Sequence, residues 1–137
     1  GRYDIFISYV TKDSRAETCP WLSSPWTARG SIQETLKAQL QQLDPSLRVF
    51  VDNAELEEGA DWQAQLEQAL RTCRLMACLV TPHYGQTKWT VRELALADEL
   101  GLRIMPINML PSGSEWPPRG LLVIASTQYI PHDAGPD

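Results

Sequence analysis

The chain has 137 residues, 43% of them hydrophobic and 21% charged, with a formal net charge of −5. That length suits one domain with a sizeable core, read here as 1–137, and an acidic balance argues against a general nucleic-acid surface or an anionic-membrane surface. The longest apolar runs, Leu75 to Val80 and Leu121 to Ala125, are too short to span a bilayer, and the N-terminus carries neither a basic region nor a long apolar one, so neither a membrane span nor secretion is expected.

Tyr3-Asp4-Ile5-Phe6-Ile7-Ser8-Tyr9 is β-prone and largely apolar, which predicts a short strand buried on both faces. Val10 to Gly30 is rich in Thr, Ser, Pro and Gly without periodicity and reads as a long loop, a class of segment that often carries function. Ser31-Ile32-Gln33-Glu34 has the form of a capping box, and Ile32, Leu36, Leu40 and Leu43 recur at helical spacing, predicting a helix with one buried stripe. Leu47 to Asp52 reads as the second strand, closed by a polar turn from Asn53 to Gly59. Trp62, Leu66, Ala69, Leu70 and Cys73 mark the next helix, with Asp61 as its cap. Arg74 to Thr81 has the continuous apolar character of a central parallel strand and ends at Pro82.

A helix carrying Trp89 and Glu93 then runs to about Leu100 and stops at Gly101. Leu102 to Met109 reads as a strand, Pro111 to Pro118 as a loop, Gly120 to Ser126 as an ambiguous apolar segment and Thr127 to Ile130 as a last short strand before a disordered tail. Strands alternating with helices imply an α/β domain with a parallel sheet, because parallel neighbours need crossover connections. Ligands of such sheets sit outside the carboxyl ends of the strands. That rule gathers the loops after Tyr9, Asp52 and Thr81 with the start of the Trp89 helix.

Cys19, Cys73 and Cys78 are odd in number and lack a C-x-x-C pair, so a reducing, cytoplasmic compartment is expected rather than a disulfide framework. Cys73, Cys78 and His83 have a nominal zinc spacing, but a buried strand between them would hold the three side chains apart, and no metal site is expected. No Gly-x-Gly-x-x-Gly follows a strand, which leaves a hydride-transfer dinucleotide site unsupported.

Trp89-Thr90-Val91-Arg92-Glu93-Leu94 admits two readings. An indole and a carboxylate four residues apart share one helical face and could hold a sugar-bearing substrate. Thr90 and Glu93 also fit a capping box, in which hydroxyl and carboxylate satisfy free backbone N–H groups at a helix start.

In its order of motifs the chain resembles the Toll/interleukin-1 receptor (TIR) family. Tyr3 to Tyr9 looks like that family's first box, and Arg48-Val49-Phe50-Val51-Asp52 with Leu56 and Gly59 like its second strand and BB loop. Leu79-Val80-Thr81-Pro82-His83-Tyr84 resembles the third strand and its exit, and Trp89 to Leu94 the W-C-x-x-E-L segment. The likeness covers roughly residues 3 to 109 and implies a flavodoxin-like parallel sheet flanked by helices.

Some TIR domains are signalling adaptors that assemble through their surfaces, and others cleave the nicotinamide–ribose bond of NAD. Fold alone does not separate them. In the enzymatic branch the glutamate of W-x-x-x-E is catalytic, and the matching position is Glu93. The resemblance implies NAD as substrate with no cofactor and no metal, Trp89, Ser8 and Tyr9 as substrate contacts, and other TIR domains as partners through homo-oligomerisation. Trp89 could equally anchor its helix to the core, and Ser8 and Tyr9 could simply end a strand. Trp62 could border the ligand, although its spacing to Leu66 and Leu70 suits a core role. Lys12, Arg15, Arg29, Lys88 and Arg92 are candidates to offset the pyrophosphate.

Glu57-Glu58-Gly59-Ala60-Asp61-Trp62 and the long first loop look more like bacterial members, which are commonly NAD-consuming defence effectors fused to sensor domains. Thr90 stands where the family usually has Cys, Val10 where related hydrolases often carry a basic residue, and only the tail follows Ile130 where a last helix is expected, so the chain reads as a domain excised from a longer protein. The implied function is an NAD glycohydrolase, yielding nicotinamide with ADP-ribose or a cyclic isomer, activated by self-assembly in immune defence or cell-death signalling. The alternatives are a TIR–TIR interaction module in which Glu93 only caps its helix, and a domain that senses a nucleotide without cleaving it.

Overall fold

Six consecutive apolar residues with no polar alternation can be accommodated only in a strand covered on both faces, and that is the place of Leu75–Val80. The computed structural model describes residues 3–26, 29–51, 62–118, 120–121, 124 and 129–131. In chain order the elements are β1 (Ile5–Ser8), short 3-10 turns at Thr11–Asp13 and Ala16–Thr18, α1 (Ile32–Leu43), β2 (Val49–Val51), α2 (Trp62–Thr72), β3 (Leu75–Val80), α3 (Lys88–Glu99), β4 (Arg103–Asn108) and β5 (Ile130–Pro131). The strands lie in the order β2-β1-β3-β4-β5, every pair parallel. This is the α/β, flavodoxin-like sheet that the sequence leads one to expect, and its strand order reverses between β1 and β3.

The period-two alternation of the central strands divides the core in two. Phe6 and Val10 from the β1 segment and Met76, Cys78 and Val80 of β3 pack with Leu66, Ala69 and Leu70 of α2 and Leu94 and Ala97 of α3. On the other face Ile7, Tyr9, Ala77, Leu79 and Ile107 pack with Ile32 and Leu36 of α1. The register sets Ile5 against Leu75 and Ser8 against Cys78, so the two middle strands end side by side.

The loop from Val10 to Gly30 is tied into the scaffold. Cys19 and Leu22 are buried in the α1-side cluster, Trp21 and Trp26 pack against it, and Trp21 Nε1 donates to the Met109 carbonyl at 2.9 Å. The buried Asp13 carboxylate accepts the His83 backbone N–H at 2.8 Å and meets His83 Nδ1 at 2.8 Å. The loop leaving β1 thereby grips the exits of β3 and β4.

Several expectations change. Ser31 does cap α1, accepting the Glu34 N–H at 3.3 Å, but Leu43 is 85% exposed and does not extend the buried stripe. Periodicity gives a direction around a helix, not how far along it the sheet reaches. Among the described residues the last strand is Ile130–Pro131, which shares Ile130 with the expected Thr127 to Ile130, while Thr127 and Gln128 lie outside the described residues. Of the ambiguous apolar segment, Leu121 and Ile124 are buried in the α3-side cluster. The polar turn from Asn53 to Gly59, the Asp61 cap, the Trp62 side chain and the tail beyond Pro131 lie outside the described residues.

Three stability measurements test this account. Gly85 has φ +83°, and a Cβ there would run into Leu121 Cδ2, so Gly85→Ala is expected to cost about 2 kcal/mol in chemical denaturation. Buried Thr81 Oγ1 has no hydrogen-bond partner, so Thr81→Val should stabilise the chain by about 1 kcal/mol, and a loss of that size would contradict the assignment. Asp4 accepts the Arg48 N–H at 2.9 Å, which, with the Arg48 guanidinium beside it, holds the carboxyl below its ordinary 3.8. A depressed folded-state pKa contributes stability above the unfolded value and loses it as pH falls through the folded one. Asp4→Asn should therefore reduce stability at neutral pH and flatten its decline below pH 3.8.

Candidate functional site

Alternation along β1 sends the Ser8 side chain to the same side as Phe6 and Val10, toward α3, where a hydroxyl among apolar neighbours needs partners. It has two. Ser8 Oγ donates to Glu93 Oε1 at 2.7 Å and lies 2.6 Å from the Tyr84 hydroxyl oxygen. A serine hydroxyl carries one proton. With that proton directed at the carboxylate, Tyr84 is the donor to Ser8, and the chain runs from Tyr84 through Ser8 to Glu93. All three side chains are buried, and Glu93 is only 1% exposed.

The electrostatics keep the Tyr84 phenol and the Cys78 thiol protonated. Burial, with the Cys78 and Glu93 groups nearby, pushes the Tyr84 phenol well above its ordinary 10.0. Burial also raises the Cys78 thiol to about 12 despite the Tyr84 hydroxyl beside it, so it is no thiolate nucleophile at neutral pH. Cys19 and Cys73 are likewise pushed up to about 11, chiefly by burial. Within the cluster, the group suited to stabilise positive charge is the Glu93 carboxylate.

The turn between β3 and α3 delivers Tyr84 and Glu93. Tyr84 N–H donates to the Thr81 carbonyl at 3.0 Å, and Gly85 N–H donates to Thr90 Oγ1 at 3.1 Å. Thr87 is the N-cap of α3 and accepts the Thr90 N–H at 3.1 Å. This corrects the capping-box reading of Thr90 and Glu93. The helix begins a turn earlier, because Thr87 offers the same capping chemistry three residues upstream, and Glu93 falls in the second turn with its carboxylate on Ser8. Thr90 instead braces the turn, its hydroxyl 2.8 Å from that of Thr87.

Of the residues singled out from the sequence, Ser8 and Glu93 meet directly. Trp89, on the same helix, is half-buried against the cluster formed with α2 and α3. Tyr9 follows Ser8 and therefore takes the opposite face, buried in the cluster with α1. Lys12, Arg15, Arg29 and Lys88 are exposed and Arg92 half-buried. Sequence reasoning missed Tyr84 as a partner of Ser8 and Asp13 as the clasp on His83. The available signal for Tyr84 was a large aromatic with a polar tip just after a wholly buried strand, which needs a hydrogen-bond partner. Among the described residues no group of three or more His, Cys, Asp or Glu could hold a metal ion, and no helix is long and apolar enough to cross a membrane.

Known proteins share this architecture. The chain is 26% identical over 135 residues to a protein of Brachypodium distachyon named as a probable 2' cyclic ADP-D-ribose synthase, BdTIR, matching 97% of this chain and 52% of that relative. The chain thus spans about half the length of the plant protein. The TIR domain of the Toll-related receptor TRR-2 from Hydra magnipapillata superposes with a TM-score of 0.59 at 15% identity, over 94% of this chain and 83% of that one. The TIR domains of the activated Roq1 resistosome that recognises the pathogen effector XopQ give 0.53 at 20% identity, over 77% and 56%. Residues 5–135 match the family model described as the TIR domain, and the chain belongs to that family.

Proposed function

We propose that this TIR domain cleaves NAD at the bond between nicotinamide and ribose, with Glu93 as the catalytic carboxylate. The observation that carries the reading is the Glu93 carboxylate itself, buried and held by Ser8 at the carboxyl end of β1, where the strand order reverses. That crevice is where open α/β sheets bind ligands. The name of the plant relative supports the substrate class.

Heterolysis of the glycosidic bond leaves the electron pair on the nicotinamide nitrogen, which departs neutral, and leaves oxocarbenium-like positive charge on the ribose. A carboxylate in a water-poor setting stabilises that charge more than it would in bulk water. Glu93 can also accept hydrogen bonds from the ribose hydroxyls and fix the sugar for departure. Water then captures the ribosyl cation to give ADP-ribose, or a hydroxyl of the same molecule captures it to give a cyclic isomer. Ser8 orients the carboxylate, and Trp89 packs on the sugar or a ring. Tyr9 belongs to the scaffold on the opposite face.

Glu93 keeps 1% of its surface in solvent, so substrate reaches it only when the cover over the cluster moves. We propose that assembly with other TIR domains supplies that movement, within a longer cytoplasmic defence protein whose sensor domain controls it. On this reading the isolated domain is weakly active and clustering raises turnover per subunit.

The test is nicotinamide release from NAD by concentrated, crowded protein. Glu93→Ala and Glu93→Gln, both shown to be folded, are expected to lower the rate by about a hundredfold or more. Absence of release from the unsubstituted protein under every clustering condition would reject the enzyme and favour a docking module. Constant turnover per subunit across a wide dilution range would reject activation by assembly.

A further inference from the structure

We propose that Tyr84 is a positioning residue, whose hydroxyl acts through Ser8 to fix the direction in which the Glu93 carboxylate is held. The inference deepens the reading of Glu93 as the reactive carboxylate, and its catalytic consequence rests on that reading.

A serine hydroxyl turns about its Cβ–Oγ bond to suit its partners, and is held in one direction when both its donor and its acceptor capacities are engaged. Ser8 has both engaged. Its O–H donates to Glu93 Oε1, with Oγ 2.7 Å from that oxygen, and the Tyr84 oxygen stands 2.6 Å from its Oγ. Tyr84 is 1% exposed, and burial strongly disfavours loss of its proton, so it remains a donor over the whole physiological range. With Tyr84 donating, Ser8 has one remaining use for its proton, and that use is Glu93. Ser8 ends β1, Tyr84 stands in the turn after β3 and Glu93 stands on α3, so two hydrogen bonds join three elements across the switch point.

Tyr84 is itself well anchored. Its N–H is tied to the Thr81 carbonyl, its neighbour His83 is clasped by Asp13, and its other neighbour Gly85 donates to Thr90 on α3. The phenol is thus a fixed reference point, and Ser8 passes its position on. Cys78, opposite Ser8 in the sheet register, is a second hydrogen-bond partner of the phenol, but burial keeps it a neutral thiol and so a weak acceptor beside the Ser8 oxygen.

The experiment labels the protein with carboxyl-¹³C glutamate and identifies the Glu93 resonance by its loss in Glu93→Gln. Tyr84→Phe is expected to move that resonance, Ser8→Ala to move it too, and the double variant to match Ser8→Ala alone. In the crowded NAD assay Tyr84→Phe should lower kcat about tenfold with KM nearly unchanged, and should have no further effect in the Ser8→Ala background. A residue that merely supports the fold would lower both backgrounds equally.

The proposal is overturned if the Glu93 resonance ignores Tyr84→Phe, or if the loss is as large without the Ser8 hydroxyl as with it. Should Tyr84→Phe fail to fold, the Tyr84 ring Cζ resonance in Ser8→Ala decides instead. The relay requires it to shift, and an unmoved resonance rejects the relay. Release of no nicotinamide by the unsubstituted protein, with the Glu93 resonance still following Tyr84, would reject the NAD reading and keep the relay. Release with an unresponsive resonance would do the reverse.

Discussion

A strand without polar residues must be covered on both faces, and in this chain β3 imposes that demand on everything around it. Its parallel neighbours β1 and β4 need crossovers, and the crossovers provide the cover: α1 with the long loop on one face, α2 and α3 on the other. Parallel strands all deliver their exits to one end of the sheet. The exits of β1 and β3 stand side by side there because Ser8 is in register with Cys78. A polar side chain at the end of β1 can then reach a helix that follows β3, so burial of one apolar strand is what brings Ser8 to Glu93.

Most of this scaffold is legible in the sequence, since it rests on patterns only a few residues long. The unbroken apolar run of β3, the helical spacing after Ser31 and the stop at Gly101 each mark an element within a residue or two of its place. What fails is whatever depends on distant surroundings. Leu43 points the same way around α1 as Ile32, yet nothing in its own neighbourhood of sequence says whether anything packs there. The loop from Val10 to Gly30 looks irregular because its order comes from long-range contacts, Trp21 to Met109 and Asp13 to His83.

The candidate site shows the same division. Glu93 is prominent in the sequence, but capping and chemistry demand similar residues at the same spacing, and the hexapeptide alone cannot separate them. What rules out capping is the N-cap at Thr87 together with the carboxylate's partner Ser8, 85 positions away. Tyr84, 76 positions from Ser8, was out of reach of local pattern for the same reason. Tyr9 illustrates the converse: it follows the last residue of β1 directly, yet continues the strand's alternation and is buried in the α1-side cluster while Ser8 faces α3.

A buried carboxylate sets two requirements against each other. Glu93 among apolar neighbours is costly to desolvate, and the Ser8 hydroxyl offsets part of that cost. The same water-poor setting is what would make its charge effective against a ribosyl cation, because screening is weak there. A site of this kind gains from staying closed until a substrate is at hand. The hydrogen bonds of the buried carboxylate, from Tyr84 through Ser8 to Glu93, run between β1, the turn after β3 and α3, and the loop leaving β1 clasps the same turn at His83. Uncovering the carboxylate therefore means displacing packed structure rather than rotating one side chain. On the proposed reading, that coupling would give an assembly partner a mechanical purchase on the chemistry: a partner that bound and shifted these exits would change access to Glu93 without touching the carboxylate itself.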